Sequence, residues 1–203
     1  NFRDGSLLHI CRIYKPDKAY ILMSREVVRH HNEDNRYIYC LEKLSEKINH
    51  PFEIVEIQKD DLVEVQNYDV VYPIIKENIQ SILDNMDQSD SLIVNIGSGT
   101  PAMKYSLQML SALADYNFTP INVSTPEKSS NPHMENQNKY DPAEMWELNE
   151  DNDDFVDRSF KTTSPLMLKD FYDNSLEKLI MNYNYAGALT LVRSLNFYSD
   201  KLE

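Results

Sequence analysis

SLIVNIGSGTPAMKYSLQMLSAL, residues 91–113, carries the clearest structural signal of the chain. The run LIVNI at Leu92–Ile96 is apolar and of strand length, which predicts a buried strand. Two glycines follow within three residues and allow a tight turn. Thr100 and Pro101 are residue types favoured at the cap and the first position of a helix. We therefore predict a strand, a glycine loop and a helix, with the free amides of the helix facing the loop.

This loop is the candidate ligand site. The amides of a first helical turn, at the positive end of the helix dipole, form a ready cradle for phosphate. Ser98 and Thr100 add hydroxyl groups, and Lys104 lies one turn into the helix, within reach of a phosphate or a local carboxylate. A glycine turn that binds nothing remains an alternative. The spacing Gly97-x-Gly99-x-x-Ala102 also matches a dinucleotide fingerprint, but weakly, since that fingerprint belongs on the first strand of a sheet.

Strands and helices alternate along the chain before and after this segment. The predicted strands are Ala19–Met23, Phe52–Ile57, Leu92–Ile96 and Thr119–Val123, and the predicted helices are Leu7–Tyr14, Tyr37–Ile48, Asp69–Met86 and Met103–Ala114. Because the strands are continuously apolar, they indicate a parallel sheet covered on both faces. The fold class is therefore α/β, a doubly wound Rossmann-like, mostly parallel sheet, in which ligands bind at the carboxyl ends of the strands.

The regular pattern has exceptions. We expect a polar loop or turn at Ser24–His31 and a short strand-like piece at Met145–Leu148, which contains the single tryptophan. The polar stretch Pro126–Pro142 would be a lid or a disordered segment, and the acidic run Asp151–Asp157 a solvated loop. From Pro165 the pattern is helical again. We predict a ligand-sensing domain at 1–160 and the start of a helical linker domain at 161–203.

Composition narrows the function classes. The net charge of −13 argues against a broad nucleic-acid surface, since such surfaces depend on Lys and Arg. No apolar run approaches the roughly 18 residues of a membrane span, and the first residues lack the pattern of a signal peptide. Cys11 and Cys40 lie in apolar periodic segments, which predicts buried free thiols in a reducing compartment, the cytoplasm.

Three quoted segments together resemble one known family. They are NIGSGTPAMK at 95–104, RDGSLLHICRIYKPDKAYILMSRE at 3–26 and NYNYAGALTLV at 182–192. They resemble the CRISPR-associated Rossmann-fold (CARF) sensor domains, most closely those of the Csm-type accessory ribonucleases of type III CRISPR systems. The resemblance covers essentially the whole chain. In that family a strand and a Gly-x-Thr-Asp-type loop precede the residue that corresponds to Arg3, and this sequence lacks them.

The resemblance implies a sensor of cyclic oligoadenylate. The expected ligand is a six-membered ring, less often four-membered, lying across the two-fold axis of a homodimer, with no cofactor and no metal. The implied ligand-binding residues are Arg3, Ser24, Asn95, Gly97, Ser98, Gly99, Thr100, Pro101, Ala102, Met103 and Lys104. Ligand binding would activate a ribonuclease (HEPN) domain expected beyond Glu203, where RNA would be cut. Slow cleavage of the ring is also implied, with Thr100 and Ser24 as the catalytic candidates.

Several residues have competing interpretations. The segment Arg25–His31 matches the Arg-x4–6-His pattern of the ribonuclease, but it follows a sheet strand, so we interpret Arg25 and Arg29 as surface charges or ligand contacts. His30 and His31 lack a nearby third metal ligand, and we predict no metal site. His9 is interpreted as a packed helix residue. Tyr183 and Tyr185 are expected in a core or an interface.

Two other function classes stay open. A dinucleotide-dependent oxidoreductase would use the same glycine loop, but it should carry an acidic residue at the end of the next strand, where the sequence has Asn122-Val123-Ser124. A CARF-type transcription regulator would bind DNA through a basic helix-turn-helix, and the helical tail is not basic.

Overall fold

Helices and strands alternate in the computed structural model, which describes residues 2–113, 116–126, 140–162 and 165–194. The chain divides into two units, residues 1–162 and 163–203. The helices of the first unit are α1 (Ser6–Tyr14), α2 (Arg25–Asp34), α3 (Arg36–Ile48), α4 (Tyr68–Asp84), α5 (Pro101–Leu113) and α6 (Pro142–Glu147). Its strands are β1 (Lys18–Ser24), β2 (Glu53–Lys59), β3 (Leu92–Asn95), β4 (Phe118–Val123) and β5 (Ser159–Lys161).

The strand pairing is mostly parallel. β1 pairs with β2, from Lys18 opposite Glu53 onward, and β3 pairs with β4, from Leu92 opposite Phe118 onward. β5 adds to β4 in the antiparallel direction. The predicted α/β class with a mostly parallel arrangement is confirmed. Among the described residues the strands form two sheets, of two and three strands, where the sequence suggested one.

Two apolar clusters correspond to these two sheets. The first packs β1 against α1, α2 and α3, with Met23, Leu41 and Leu44 fully buried at its centre. The second packs β3 against α4 and α5, and Leu110 and Val71 are fully buried there. Burial of each such side chain contributes about 1.5–3 kcal/mol. The second cluster fixes the strand and the helix on either side of the glycine loop.

Ser24–His31 is not the predicted polar loop. Most of it belongs to α2, which begins directly after β1 and follows Ser24 at its extended N-cap position. Val28 and His31 are the buried residues of this helix, three positions apart, so they lie on one helical face. The polar composition of this segment led to the prediction of a loop, although the segment forms a short amphipathic helix.

The tryptophan segment is also helical, so the predicted strand-like piece is wrong. Asp141 caps α6, with its Oδ1 accepting hydrogen bonds from the amides of Ala143 at 2.9 Å and Glu144 at 3.3 Å. Pro142 takes the first helical turn, where a missing N–H is harmless. These capping residues outweigh the strand-like composition of Met145–Leu148, and Trp146 is buried against the first cluster.

The second unit contains α7 (Pro165–Met181) and α8 (Tyr185–Ser194). Two helices starting at or after Pro165 agree with the sequence pattern. Tyr183 and Tyr185 are exposed, so they do not belong to a core within the described residues. In the described part of the chain, no helix has the length and apolarity needed to cross a membrane. The segment 127–139, most of the predicted lid, lies outside the described residues.

Candidate ligand site

The glycine loop requires both of its glycines. Gly99 has a φ of +92°, in the left-handed region that glycine tolerates best. A Cβ on Gly97 would lie 3.0 Å from Oδ1 of Asn122 and 3.2 Å from Oδ1 of Asn95. One glycine is therefore needed for its backbone conformation and the other for close packing at the carboxyl ends of β3 and β4.

Thr100 caps α5 as predicted, and its hydroxyl does more than cap. Oγ1 accepts a hydrogen bond from the amide of Met103 at 3.3 Å. It also donates to the carbonyl of Val65 at 2.5 Å, in the segment between β2 and α4. Thr100 thus joins the loop after β3 to the segment that leads into α4. The hydroxyl proton is directed at a protein carbonyl in this structure.

Asn95 shapes the loop from inside. Its Oδ1 accepts from the amide of Gly97 at 2.8 Å, and its Nδ2 donates to Ser98 Oγ at 3.3 Å and to Ser6 Oγ at 3.0 Å. Ser6 is the first residue of α1, and the sequence interpretation did not include it. No local pattern could reveal it, since the contact joins residues 89 positions apart.

The loop leaves backbone donors open. Ser98 and Gly99 are exposed, and among the described residues no acceptor faces their amides. Lys104 is half-buried one turn into α5. Two exposed amides, a serine hydroxyl and a lysine at a helix N-terminus make a site that can hold an anionic oxygen.

The other predicted ligand residues have different environments. Pro101 is exposed beside the loop, Ala102 is fully buried in the second cluster, and Met103 packs its sulfur against Gly99. Ser24 is buried at the carboxyl end of β1, where the amide of the next residue donates to the Leu62 carbonyl at 3.2 Å. β1 belongs to the two-stranded sheet, whereas the glycine loop follows β3 of the three-stranded sheet.

Arg3 lies in a buried polar cluster built on two carboxylates. We call it the Asp4–Asp151 cluster, and its members are Arg3, Asp4, His9, Arg12, Asp151 and Arg158. Arg12 binds Asp4 through Nε at 2.7 Å. Asp151 accepts from Arg3 Nη1 at 2.7 Å and from Arg158 Nη2 at 3.2 Å. The hydrogen bond to Asp151 is the main cause that raises the pKa of Arg3.

This cluster corrects the prediction of a solvated acidic run. Asp151 is 1% exposed, and its Oδ2 also accepts from the Asp4 amide at 2.8 Å. Residues 153–157 are exposed, as expected of such a run. The sequence interpretation missed this cluster because its members come from both ends of the first unit. Arg3, Arg12 and Arg158 converge there on two carboxylates. The Asp4–Asp151 cluster therefore holds α1 and the segment before β5 together.

The same cluster is the one place in the described chain where three potential metal ligands converge. Ligand atoms of Asp4, His9 and Asp151 all lie within 4.8 Å of one another. Both carboxylates already face guanidinium cations, however, and a divalent ion would have to displace them or share the space with them. The charge arrangement does not suit a metal ion.

His9 is fully buried in this cluster, as a packed helix residue should be. Its Nε2 accepts from the Arg158 amide at 2.9 Å, and its ring lies 5.0 Å from the ring of Phe155. Burial lowers the pKa of His9, and the neighbouring charge of Arg158 lowers it further. His9 therefore favours the neutral form in the folded chain.

The basic segment at Arg25–His31 carries charges at the surface of α2. Arg29 lies near Glu26 and Glu33, and Arg25 donates to the carbonyl of Asp60 at 2.5 Å. His31 is buried, with Nε2 at 3.6 Å from Glu56. The interpretation of Arg29 as a surface charge agrees with its exposed side chain.

Both cysteines are free and buried, as predicted. Burial is the main cause that raises the pKa of Cys11 to about 12 and that of Cys40 to about 11. Neither thiol is therefore a nucleophile at neutral pH.

Comparisons with known proteins agree on one family. The model of the Cas_Csm6 CARF domain matches residues 53–158, just over half of the chain. The chain is 28% identical over 191 residues to the CRISPR system endoribonuclease Csm6 of Mycobacterium tuberculosis, covering 93% of this chain and 45% of that protein. It is 27% identical over 200 residues to Csm6' of Streptococcus thermophilus, covering 97% and 49%. The chain thus spans about half the length of these curated relatives.

A solved structure shares the fold. Enterococcus italicus Csm6, bound to cyclic hexa-2'-fluoro-hexa-dAMP, matches with a TM-score of 0.76 at 20% identity. The match covers 98% of this chain and 46% of that one. At this identity the likeness establishes the architecture.

Proposed function

The chain belongs to the Csm6 CARF domain family, and on that premise we propose that it is the cyclic-oligoadenylate sensor of a type III CRISPR ribonuclease. The single observation that carries the proposal is the glycine loop. It offers exposed amides at Ser98 and Gly99 beside the N-terminus of α5, and these donors suit the phosphates of a nucleotide ring.

The ligand we propose is cyclic hexa-adenylate. The Enterococcus italicus relative is bound to a six-membered cyclic nucleotide analogue, which supports this ring size. We propose that Gly97 to Lys104 contact phosphates and riboses, and that Ser24 lines the same rim from the end of β1. Asn95 and Arg3 contribute by holding the loop and α1 in place, since their side chains are bonded within the protein. The site needs no cofactor and no metal.

The proposed assembly is a homodimer. A ring with an even number of adenylates can have two-fold symmetry, so it matches an isologous pair of chains. Each chain would then contribute one glycine loop. Binding would bias the arrangement of the two chains and activate a ribonuclease domain outside this chain, where RNA would be bound and cut. The place of action is the cytoplasm, and neither DNA nor a membrane is a partner.

Slow cleavage of the ring is a second proposed activity of this site. The ribose 2′-oxygen attacks the adjacent phosphorus, the bond to the 5′-oxygen breaks, and a 2′,3′-cyclic phosphate remains. The 2′ proton leaves and the departing 5′-oxygen gains one, so the step needs neither metal nor water. The protein would act by positioning the ring and stabilising charge, with Thr100 and Ser24 as candidates. Because Thr100 donates to Val65, a catalytic role for its hydroxyl requires exchange of that hydrogen bond.

A thermal-shift panel tests the sensor proposal. Linear and cyclic oligoadenylates of three to six units, together with NAD, would be compared at equal concentration. We expect cyclic hexa-adenylate to raise the melting temperature most, because a ligand that binds only the folded chain stabilises it. Stabilisation by NAD alone would instead favour the oxidoreductase alternative, which the family match does not support.

Two substitutions test the loop itself. Lys104→Ala should weaken ring binding by about tenfold, since it removes one cation near a phosphate. Lys76→Ala, an exposed lysine on α4, is the matched control and should leave binding unchanged. Wild-type affinity in Lys104→Ala and Thr100→Ala alike would place the site elsewhere. For ring cleavage, chromatography that finds only intact ring after long incubation would exclude that activity.

A further inference from the structure

An asparagine with unused hydrogen-bond donors lies beside the glycine loop. Asn122 is half-buried near the carboxyl end of β4, and its Oδ1 would lie 3.0 Å from a Cβ on Gly97. Oδ1 accepts a hydrogen bond from the amide of Val123 at 2.9 Å, whereas Nδ2 donates to no acceptor among the described residues. Asn95, at the end of the neighbouring strand, uses both ends of its amide within the protein. Asn122 therefore keeps its N–H groups, and a second lone pair on Oδ1, for another partner.

An exposed aromatic ring lies on the next strand, across from this asparagine. Asn122 is directly opposite Phe160 in the antiparallel pair of β4 and β5. Their side chains therefore start on the same face of the sheet, with Cβ atoms about 4.5–5.5 Å apart. Phe160 is 47% exposed and belongs to neither of the two apolar clusters. A free amide and a free aromatic ring thus lie side by side, on the two strands that follow β3 in the sheet.

An amide and an aromatic ring are the side-chain types that recognise an unpaired base. Bases of single-stranded nucleic acid stack on aromatic rings and form hydrogen bonds through their edges. An asparagine amide makes two bonds to adenine, with Oδ1 accepting from N6 and Nδ2 donating to N7. Guanine and hypoxanthine carry a carbonyl oxygen at position 6, so Oδ1 would there face a second acceptor. The pair of residue types therefore favours adenine.

We propose that Asn122 and Phe160 form an adenine subsite, in which the base stacks on the ring of Phe160 and the amide of Asn122 binds its edge. This inference rests on the proposed function, because the base belongs to the same nucleotide ring whose phosphate binds at the glycine loop. The spacing agrees with this arrangement. β4 and β5 lie about 5 Å and about 10 Å from β3, the strand that leads into the loop, and a ribose separates a base from its phosphate.

A phosphate is a poorer occupant of this subsite than a base. Its oxygens are acceptors, so Nδ2 of Asn122 could bind them, but Oδ1 of the same amide would face them without a hydrogen bond. A phosphate would also make no use of the exposed ring of Phe160. A base uses the donors and the acceptor of Asn122 together with the aromatic ring.

Two synthetic rings test the role of Asn122: cyclic hexa-adenylate and cyclic hexa-inosinate, in which a carbonyl replaces the 6-amino group. By isothermal titration calorimetry, the wild type should bind the adenylate ring at least about tenfold more tightly. Asn122→Leu should reduce this preference by about tenfold, because it removes both bonds to the base edge. Asn117→Leu, at an exposed asparagine directly before β4, is the control and should keep the preference. An Asn122→Leu chain with the wild-type preference would overturn the role of the amide.

Substitutions of Phe160 should give a different signature. Phe160→Ala should weaken both rings alike, by about tenfold, because stacking on an aromatic ring depends little on which base is stacked. Phe160→Tyr keeps the aromatic ring and should retain most of the affinity. Phe171→Ala, at a phenylalanine of α7 that is 52% exposed, is the matched control and should leave binding unchanged. Wild-type affinity in Phe160→Ala would overturn the place of Phe160 in the subsite.

The wild-type titrations separate this inference from the proposed function. A wild type that binds both rings equally well would overturn the adenine subsite and leave the sensor proposal standing. A wild type that binds neither ring would contradict both. The preference for adenylate compares two ligands on the same protein sample, so partial loss of folding in Asn122→Leu cannot imitate the loss of preference.

Discussion

The glycine loop and the Asp4–Asp151 cluster are both polar, but their hydrogen-bonding groups are used in opposite ways. In the cluster, each of the two buried carboxylates is paired with at least one arginine, so the negative charges are compensated within the protein. In the loop, Asn95 and Thr100 accept hydrogen bonds from part of the backbone, and the amides of the exposed Ser98 and Gly99 donate to no acceptor among the described residues. The cluster is closed and structural, whereas the loop keeps backbone donors open, and it is there that we propose the ligand binds.

This contrast separates two kinds of substitution. Changes in the cluster should lower stability strongly, because removing one partner of a buried ion pair leaves the other charge poorly compensated. Changes in the loop should affect ligand binding more than stability. Since stabilisation by a ligand depends on its affinity, the proposed ring should stabilise cluster variants as much as the wild type and loop variants less.

The largest effect is expected at Asp151. Asp151→Asn removes the negative charge that Arg3 and Arg158 both contact. It should lower the free energy of unfolding by about 3–5 kcal/mol. Urea denaturation measures this loss. Asp153→Asn, an exposed neighbour, is the control and should change stability by less than about 0.5 kcal/mol. Equal effects from the two variants would show that the Asp4–Asp151 cluster does not hold the fold.

A smaller loss of stability is expected in the loop. Gly99→Ala forces a side chain into the left-handed region and should cost about 1–3 kcal/mol. Gly5→Ala should cost less than about 1 kcal/mol, because φ there is −65° and an added Cβ has open space. The comparison is made by thermal denaturation. A neutral Gly99→Ala would mean that the loop adopts another backbone conformation.

Substitutions of Thr100 test its hydroxyl, which joins the glycine loop to the segment between β2 and α4. Thr100→Val keeps the shape but removes both hydrogen bonds, and should lower stability by about 1 kcal/mol and ring affinity by about tenfold. Thr100→Ser keeps the hydroxyl and should retain most of both. Isothermal titration calorimetry and urea denaturation give the two quantities. If Thr100→Val retained stability and affinity while Thr100→Ser lost them, the methyl group and not the hydroxyl would account for the role of Thr100.

The smallest effect concerns pH. Because the pKa of His9 is lowered in the folded chain, the unfolded chain binds a proton first as pH falls. The free energy of unfolding should therefore decrease as pH falls through the ordinary pKa of 6.5, until the folded chain is protonated too. Urea midpoints at pH about 7.5 and about 5.5 measure this slope. His9→Gln should flatten it, and an unchanged slope would assign the pH dependence to other groups.

Local signals in the sequence predicted the loop well. The strand, the two glycines, the capping threonine and Pro101 lie within ten residues, so their types and spacing suffice. α2 and α6 were missed because polar or mixed composition outweighed capping signals at Ser24 and Asp141. The Asp4–Asp151 cluster was not predictable, because its ion pairs join residues far apart in the sequence and produce no local pattern of residue types. The division of the strands into two sheets is likewise a property of long-range pairing.

The distance along the chain between the partners in the cluster has a consequence for synthesis. Arg3 and its acceptor Asp151 are 148 positions apart, and Arg158 reaches the Asp4 carbonyl across 154. Arg3 and Asp4 therefore emerge from the ribosome long before Asp151 and Arg158 are synthesised. α1 can pack on β1 and α3 early, but Asp4 must wait for residues 149–158. Closing so long a loop is slow compared with forming local contacts, so the cluster is expected to be among the last native interactions to form.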